Sequence, residues 1–236
     1  MMTELTLPII GYMHSSYKEK FGIPRQPNLV QVESYIEMLA PYNDVLAFEG
    51  IEAFSHLWLV WQFHDNKNPE KNQFRPQVRP PRLGGNKKIG VFATRSMYRP
   101  SPIGVSVVKL KYVKKEGKAV RVYVTGSDLL DGTPIVDIKP YIHYSDAVIN
   151  AESGYAQDEP KRKSVIWSDR AIEQKQQLLM SEKLSVQTAQ ELEAVLSLDP
   201  RPAYQDDEAR VYKMKFAAVD IAFTVGETTV NITAVE

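Results

Sequence analysis

Residues 103–125 read IGVSVVKLKYVKKEGKAVRVYVT. Two valine-rich runs flank Lys114-Lys115-Glu116-Gly117-Lys118. The second run alternates through Val120, Val122 and Val124. β-Branched side chains crowd the preceding turn of a helix but pack well on a pleated surface. A glycine between two such runs supplies the reversal. The stretch is therefore read as a β-hairpin, 103–113 against 119–125. Working outward, PIVDIKPYI (134–142) and IGVFAT (89–94) read as extended. HLWLVWQF (56–63) reads as a buried central strand, and LTLPIIGYM (5–13) as the first strand. Residues 67–88 carry Pro69, Pro76, Pro80, Pro81 and Gly84-Gly85, a long irregular loop. Strands without alternating helices point to a β-sheet or barrel and away from a doubly wound fold.

The pattern changes near residue 160. SDRAIEQKQQLLMSEK (168–183) suits a helix with Ser168 as N-cap, and VQTAQELEAVLSL (186–198) suits a second, stopped by Pro200. Residues 211–216, 219–225 and 229–235 read as strands, the last two joined at Gly226-Glu227. The expected fold is mainly β with a smaller α+β part. It comprises a β domain over 1–145, a polar linker over 145–160, and a small C-terminal α+β domain over 160–236.

The chain has 236 residues and zero formal net charge. Charge is unevenly spread, however: between Lys71 and Lys115 there are twelve Lys or Arg and no Asp or Glu. Such segregation is a footprint for a polyanion. Cysteine is absent, which excludes disulfides, thiol nucleophiles and cysteine–zinc sites. No 18-residue apolar run or secretory leader is seen, so no membrane partner is expected and the expected compartment is cytoplasmic. No G-x-G-x-x-G follows a strand, and there is no P-loop. His56 and His64, placed on one extended strand, would lie roughly 26 Å apart, too far to share a metal ion, and none is expected.

Several polar motifs remain. Pro24 and Pro27 stiffen a loop carrying Arg25 and Gln26, suited to clamp a small ligand. Arg75, Arg79 and Arg82 approach Gly84-Gly85, where guanidinium and backbone amides suit phosphate. A strand ending at Thr94 runs into Arg95, Tyr98 and Arg99, with Tyr98 able to stack on a base. Asp128 to Tyr141 joins a turn, Asp131-Gly132-Thr133-Pro134, to a strand carrying Asp137 and Lys139. Asp131 is suited to accept hydrogen bonds from ribose hydroxyls or an ammonium group. Asp199-Pro200-Arg201-Pro202-Ala203-Tyr204 is a second proline-bracketed arginine, placed to close over the first domain. Each stretch also has a plainer reading as an exposed turn or solvated loop.

Taken together, YKEKFGIPRQP (17–27), GIEAFSHLWLV (50–60), PRLGG (81–85), GVFATRS-x-x-RP-x-PIG (90–104), LDGTPIVDIKPY (130–141) and DPRPAY (199–204) resemble the TsaA-like, or TrmO, family. The resemblance implies a non-Rossmann β-barrel methyltransferase domain, S-adenosylmethionine as cofactor and a homodimer. It further implies methylation of the exocyclic nitrogen of threonylcarbamoyl-adenosine beside the anticodon, notably in threonine tRNA. Motif by motif, the cofactor contacts fall on Pro24, Arg25, Gln26, Phe63, His64, Arg95, Val105, Leu130, Asp131, Gly132 and Thr133. The expected tRNA contacts are Arg75, Arg79 and Arg82 on anticodon stem-loop phosphates, with Arg99, Lys139 or Arg201 pairing the threonyl carboxylate. Asp137 or Tyr204 would accept the nitrogen's proton or orient it. Positioning the two reactants is worth on the order of 7–11 kcal/mol, so no covalent nucleophile is required. Two other readings stay open: a non-catalytic RNA-binding module, and a methyltransferase acting on a small metabolite.

Overall fold

The computed structural model describes residues 5–65, 74–202, 205 and 207–236. The strands of the N-terminal half are β1 (Gly11–His14), β2 (Glu33–Met38), β3 (His56–Gln62), β4 (Gln77–Val78), β5 (Ile89–Gly90), β6 (Ile103–Glu116), β7 (Ala119–Thr125) and β8 (Pro134–Pro140). Six of them close a barrel in the order β1-β2-β7-β6-β3-β8, while β4 and β5 pair separately.

The hairpin is the pivot of the closure. β6 is twice as long as β7 because it serves two neighbours. Ile103–Lys109 pair with β3, and Lys109–Glu116 pair with β7. The register shifts between Leu110 and Tyr112, and an irregularity of this kind bends a strand and raises its twist. The ring is completed where Gly11 faces Ile135. A Cβ at Gly11 would come within 2.7 Å of the Glu37 carbonyl oxygen, so only glycine lets β1 approach β2 this closely.

Alternation decides which side faces inward. Val120, Val122 and Val124 are fully buried, with Ile36, Leu57, Leu59, Val108 and Ile135. Each such side chain contributes about 1.5–3 kcal/mol of hydrophobic stabilisation.

The C-terminal part contains β9 (Ser164–Trp167), α2 (Asp169–Met180), α3 (Val186–Leu196), β10 (Tyr212–Phe216), β11 (Val219–Val225) and β12 (Thr229–Val235), after a single helical turn, α1 (His143–Asp146). Its sheet runs β10-β11-β12-β9, with β9 parallel to β12. Ser168 Oγ accepts from the Ala171 amide and Ser185 Oγ from the Thr188 amide, capping both helices. This second core also takes in Tyr17, Val30 and Val32. The chain between β1 and β2 thus packs onto the C-terminal part.

Several expectations shift. The first strand begins at Gly11, not at residue 5. β3 alternates between buried and half-buried positions, because one face lines the barrel and the other lies outside. The extended reading of 89–94 fails after Gly90, where Val91–Ala93 form a 3-10 turn. No strand is read from the sequence at β2, β4 or β9, and β4 lies within the stretch read as an irregular loop. β2 carries its own signal, with Ile36 and Met38 buried between half-buried Glu33, Tyr35 and Glu37. Among the described residues, no helix is long and apolar enough to cross a membrane.

Candidate active site

The site begins where β3 ends. Trp61 pairs with Gly104 across the β3–β6 ladder, and the Phe63 amide extends it by donating to the Pro102 carbonyl at 2.9 Å. The Trp61 indole packs against Gly104, where an added Cβ would stand 2.3 Å from the ring. Its Nε1–H donates to Ser106 Oγ at 3.0 Å, and Ser106 donates to Asp128 Oδ1 at 2.6 Å. Phe63 meets the Trp61 ring edge-on at 4.4 Å between centroids. These residues form a rigid apolar floor carrying one carboxylate.

A second wall is the turn at Leu130–Thr133. The amides of Asp131 and Gly132 donate to the carbonyls of Tyr17 and Met13, so the turn is fastened to the chain running through β1. Gly132 has φ +77°, a left-handed conformation that glycine adopts without steric cost. Thr133 Oγ1 donates to the Leu130 carbonyl at 2.7 Å.

The third and fourth walls are loops that meet each other. Arg95 Nη1 donates to Gln26 Oε1 at 2.6 Å. Arg25 Nη2 donates to the Arg201 carbonyl at 3.1 Å, which ties the same loop to the C-terminal part. Arg99 Nη1 folds back onto the carbonyls of Thr94 and Ser96.

Between these walls lies a cavity of about 380 Å³. Nine of the residues expected to bind a cofactor line it: Pro24, Arg25, Gln26, Phe63, His64, Arg95, Val105, Leu130 and Thr133. Gly132 sits at its edge, where an added Cβ would stand 4.0 Å from His64 Nε2. His64 lies two residues beyond β3 rather than within it, which brings it to the cavity. Burial lowers the His64 pKa, so the ring favours its neutral form; Asp65 opposes this and Lys20 adds to it.

Other assignments need correction. The Asp131 carboxylate turns away from the cavity, accepts from the Ser15 amide at 2.9 Å and pairs with Lys18 at 2.9 Å. It braces the turn and offers no oxygen to a ribose inside. Asp137 pairs with Lys139 at 2.6 Å on β8, with 44% and 65% of their side chains exposed, and neither lines the cavity. β8 turns these two outward along the barrel wall. Arg201 is 8% exposed and holds Asp199 through two hydrogen bonds of 2.9 Å, so its guanidinium is a buried brace rather than a surface contact. Arg99, expected to meet substrate, lines the cavity itself. Arg75 lies 4.5 Å over the Tyr98 ring, and Arg82 donates to the Asp158 carbonyl. Arg79 is exposed, and Tyr204 lies outside the described residues. The cavity also contains groups not singled out from sequence, chiefly Asp128, Trp61 and Lys20. Asp128 sits three residues before the Asp131 turn, and the fold turns it inward, onto Ser106. Among the described residues, no group of three or more His, Asp or Glu is placed to hold a metal ion.

Comparison with known proteins places the fold in a family. Residues 12–147 match the tRNA-methyltransferase O N-terminal domain and residues 160–236 the TrmO C-terminal domain. The tRNA (adenine(37)-N6)-methyltransferase of Escherichia coli K12 is 44% identical over 208 residues, covering 88% of this chain and 86% of that protein. A Pseudomonas aeruginosa relative, provisionally assigned as an S-adenosylmethionine-dependent methyltransferase, RcsF, is 44% identical over 223 residues, 93% of this chain and 92% of that one. The crystal structure of TrmO from Pseudomonas aeruginosa superposes with a TM-score of 0.78 at 34% identity, covering 100% of this chain and 99% of that one. With matched domains across both halves and the barrel shared, this chain belongs to the tRNA-methyltransferase O family.

Proposed function

We propose that the chain transfers a methyl group from S-adenosylmethionine to the exocyclic nitrogen of adenosine 37 in tRNA, in its threonylcarbamoylated form. The observation that carries this reading is the convergence of four loops, far apart in sequence, on one cavity of about 380 Å³. Its walls fit the cofactor. Trp61, Phe63 and Leu130 offer apolar surface for a purine, Arg25 and Arg95 offer guanidinium groups for a carboxylate, and Asp128 offers an anion for a cationic ligand. S-adenosylmethionine, when bound, supplies a methyl on a positively charged sulfur, which keeps the electron pair of the bond that breaks. The protein's share is then to hold two reactants in line and exclude water, which needs no covalent nucleophile.

The threonyl carboxylate calls for a cation at the cavity mouth. With Lys139 paired outside and Arg201 buried against Asp199, Arg99 is the residue of that set which lines the cavity. Arg75, Arg79 and Arg82 lie on the proline-rich loop and would meet anticodon stem-loop phosphates. Threonine tRNA as substrate, a homodimer, a cytoplasmic location and separate 1–145 and 160–236 domains belong to the same proposal.

The deciding experiment incubates the protein with methyl-labelled S-adenosylmethionine and tRNA carrying or lacking the threonylcarbamoyl group. Label is expected only in the modified tRNA. Label in neither tRNA refutes the enzyme reading, and tight tRNA binding without calorimetric cofactor binding would favour an RNA-binding module. Equal labelling of both refutes the role of Arg99. If Arg79→Ala with Arg82→Ala leaves turnover unchanged, the basic loop serves no RNA and a small-metabolite substrate is favoured.

A further inference from the structure

Asp128 is the carboxylate most deeply set in the cavity, and its orientation comes from the barrel. Ser106, which donates to Oδ1, and Trp61, which donates to Ser106, are both core residues, 1% and 9% exposed. Trp61 is pinned in turn by its contact with Gly104. Such a relay fixes an acceptor more firmly than a loop side chain can. Among the described residues, Oδ2 has no side-chain partner. Burial raises the affinity of this carboxylate for a proton, opposed by the Ser106 hydrogen bond and by Arg95.

The other proton acceptors near the cavity are less suited. Asp65 is tied to Lys20 at 3.6 Å. His64 holds a proton less readily than a free imidazole, because of burial. Asp137 is outside altogether.

We propose that Asp128 accepts the proton released by the exocyclic nitrogen as that nitrogen is methylated, with Ser106 and Trp61 as its positioning residues. The inference rests on the methyl-transfer reading above. A threonylcarbamoyl nitrogen shares its lone pair with both the purine ring and a carbonyl, so it is a weak nucleophile until its proton is drawn away. The balance is simple. The nitrogen gains a bond to carbon and gives up its hydrogen to Oδ2, and the sulfur leaves neutral. The pair that begins as sulfonium and carboxylate ends as thioether and carboxylic acid, so no charge is stranded in the cavity. A carboxylate whose proton affinity is raised toward the working pH is better matched to this task than an ordinary one.

The charged and titratable groups facing Asp128 are Arg95 and Arg99 on one loop, Arg25 on a second, His64 and Asp65 after β3, and Lys20. The Asp128 charge in turn adds to the burial that holds the proton on the Tyr17 hydroxyl.

The test has three readouts. Carboxyl-carbon NMR of the free protein should show one aspartate, missing in Asp128→Asn, that titrates above the usual aspartate value of about 3.9. In Ser106→Ala it should titrate higher still, because a hydrogen bond to the charged form is gone. Single-turnover methylation of threonylcarbamoylated tRNA should lose rate below that pKa. Asp128→Asn should slow it by roughly 10²–10⁴-fold and remove this acid limb. Calorimetric S-adenosylmethionine affinity of Asp128→Asn should fall far less than the rate does, by about tenfold, because the bound cation loses only its attraction to one anion. Turnover in Asp128→Asn close to wild type overturns the proposal, and so does a loss of cofactor affinity equal to the loss of rate. If Asp128→Asn does not fold, wild type and Ser106→Ala decide. An acid limb that moves with the NMR pKa supports the proposal, and one that stays put or is absent overturns it. Wild-type protein that transfers no methyl refutes the methyl-transfer reading itself, whereas active wild type with an unaffected variant refutes only the role of Asp128.

Discussion

Arg95 and Gln26, 69 residues apart in sequence, are joined by a 2.6 Å hydrogen bond. The amide oxygen accepts from the guanidinium, which leaves the amide nitrogen and the other guanidinium nitrogens directed elsewhere. Gln26 follows Arg25, which reaches the backbone of Arg201, and Arg95 begins the loop that Arg99 folds back upon. One side-chain contact thus links two walls of the cavity, and through Arg25 it links them to the C-terminal part.

Gln26→Ala removes a hydrogen bond to a charged group, worth about 1.5–3 kcal/mol. Because both side chains sit at the exposed mouth, the cost is expected in binding rather than folding. S-adenosylmethionine affinity should fall on the order of tenfold, with the melting temperature within about 1 °C of wild type. Calorimetric titration and a thermal melt check both halves, and an unchanged affinity refutes the link.

Asp131 is expected to matter for the cavity it does not line. Its carboxylate holds the Ser15 amide, and the turn it braces supplies Leu130 and Thr133. Asp131→Ala should weaken S-adenosylmethionine binding several-fold. Lys18→Ala should do little, because the Lys18–Asp131 pair is about one-third exposed and such pairs contribute about 0–1 kcal/mol. Equal effects of the two substitutions would show that the ion pair, not the amide contact, positions the turn.

Gly104→Ala drives a methyl group into the Trp61 ring. Overpacking of this kind costs about 1–3 kcal/mol, or roughly 2–10 °C in melting temperature for a chain of this length. Trp61 also orients Ser106, so the methylation rate should drop beyond what cofactor affinity explains. A stable variant with normal turnover would show that the ring tolerates displacement.

Acid stability should depend on Asp199. Burial raises its pKa, but the hydrogen bonds and charge of Arg201, with Lys163, outweigh that and hold it below the ordinary value. A depressed carboxylate stabilises the fold above its unfolded pKa of about 3.9, and that contribution is lost as pH falls through the folded value. Asp199→Asn should therefore destabilise at neutral pH and flatten the loss of stability below about pH 4. Arg201→Ala should cost more than Asp199→Asn at neutral pH, because, among the described residues, it leaves a half-buried charge with only Lys163 and the residue-201 backbone amide. Melting curves across pH 3 to 7 distinguish these outcomes.

Much of this protein is legible along the chain because its signals are local. Valine alternation at 119–125 sets a buried face, Gly117 sets the reversal, and Ser168 and Ser185 start their helices whatever lies around them. The motifs at 24–26, 95 and 131–133 are read the same way, as polar residues on stiffened turns, whereas 63–64 and 130 follow only from the family resemblance. What sequence cannot supply is direction. Asp128, Asp131 and Asp137 lie within ten residues and look equally eligible. The barrel aims the first into the cavity, the second at Ser15 and Lys18, and the third at Lys139. Arg201 looks like a surface clamp until the fold buries it against Asp199. Local propensity depends on neighbours along the chain, whereas the side a carboxylate faces depends on strand closure between residues a hundred positions apart.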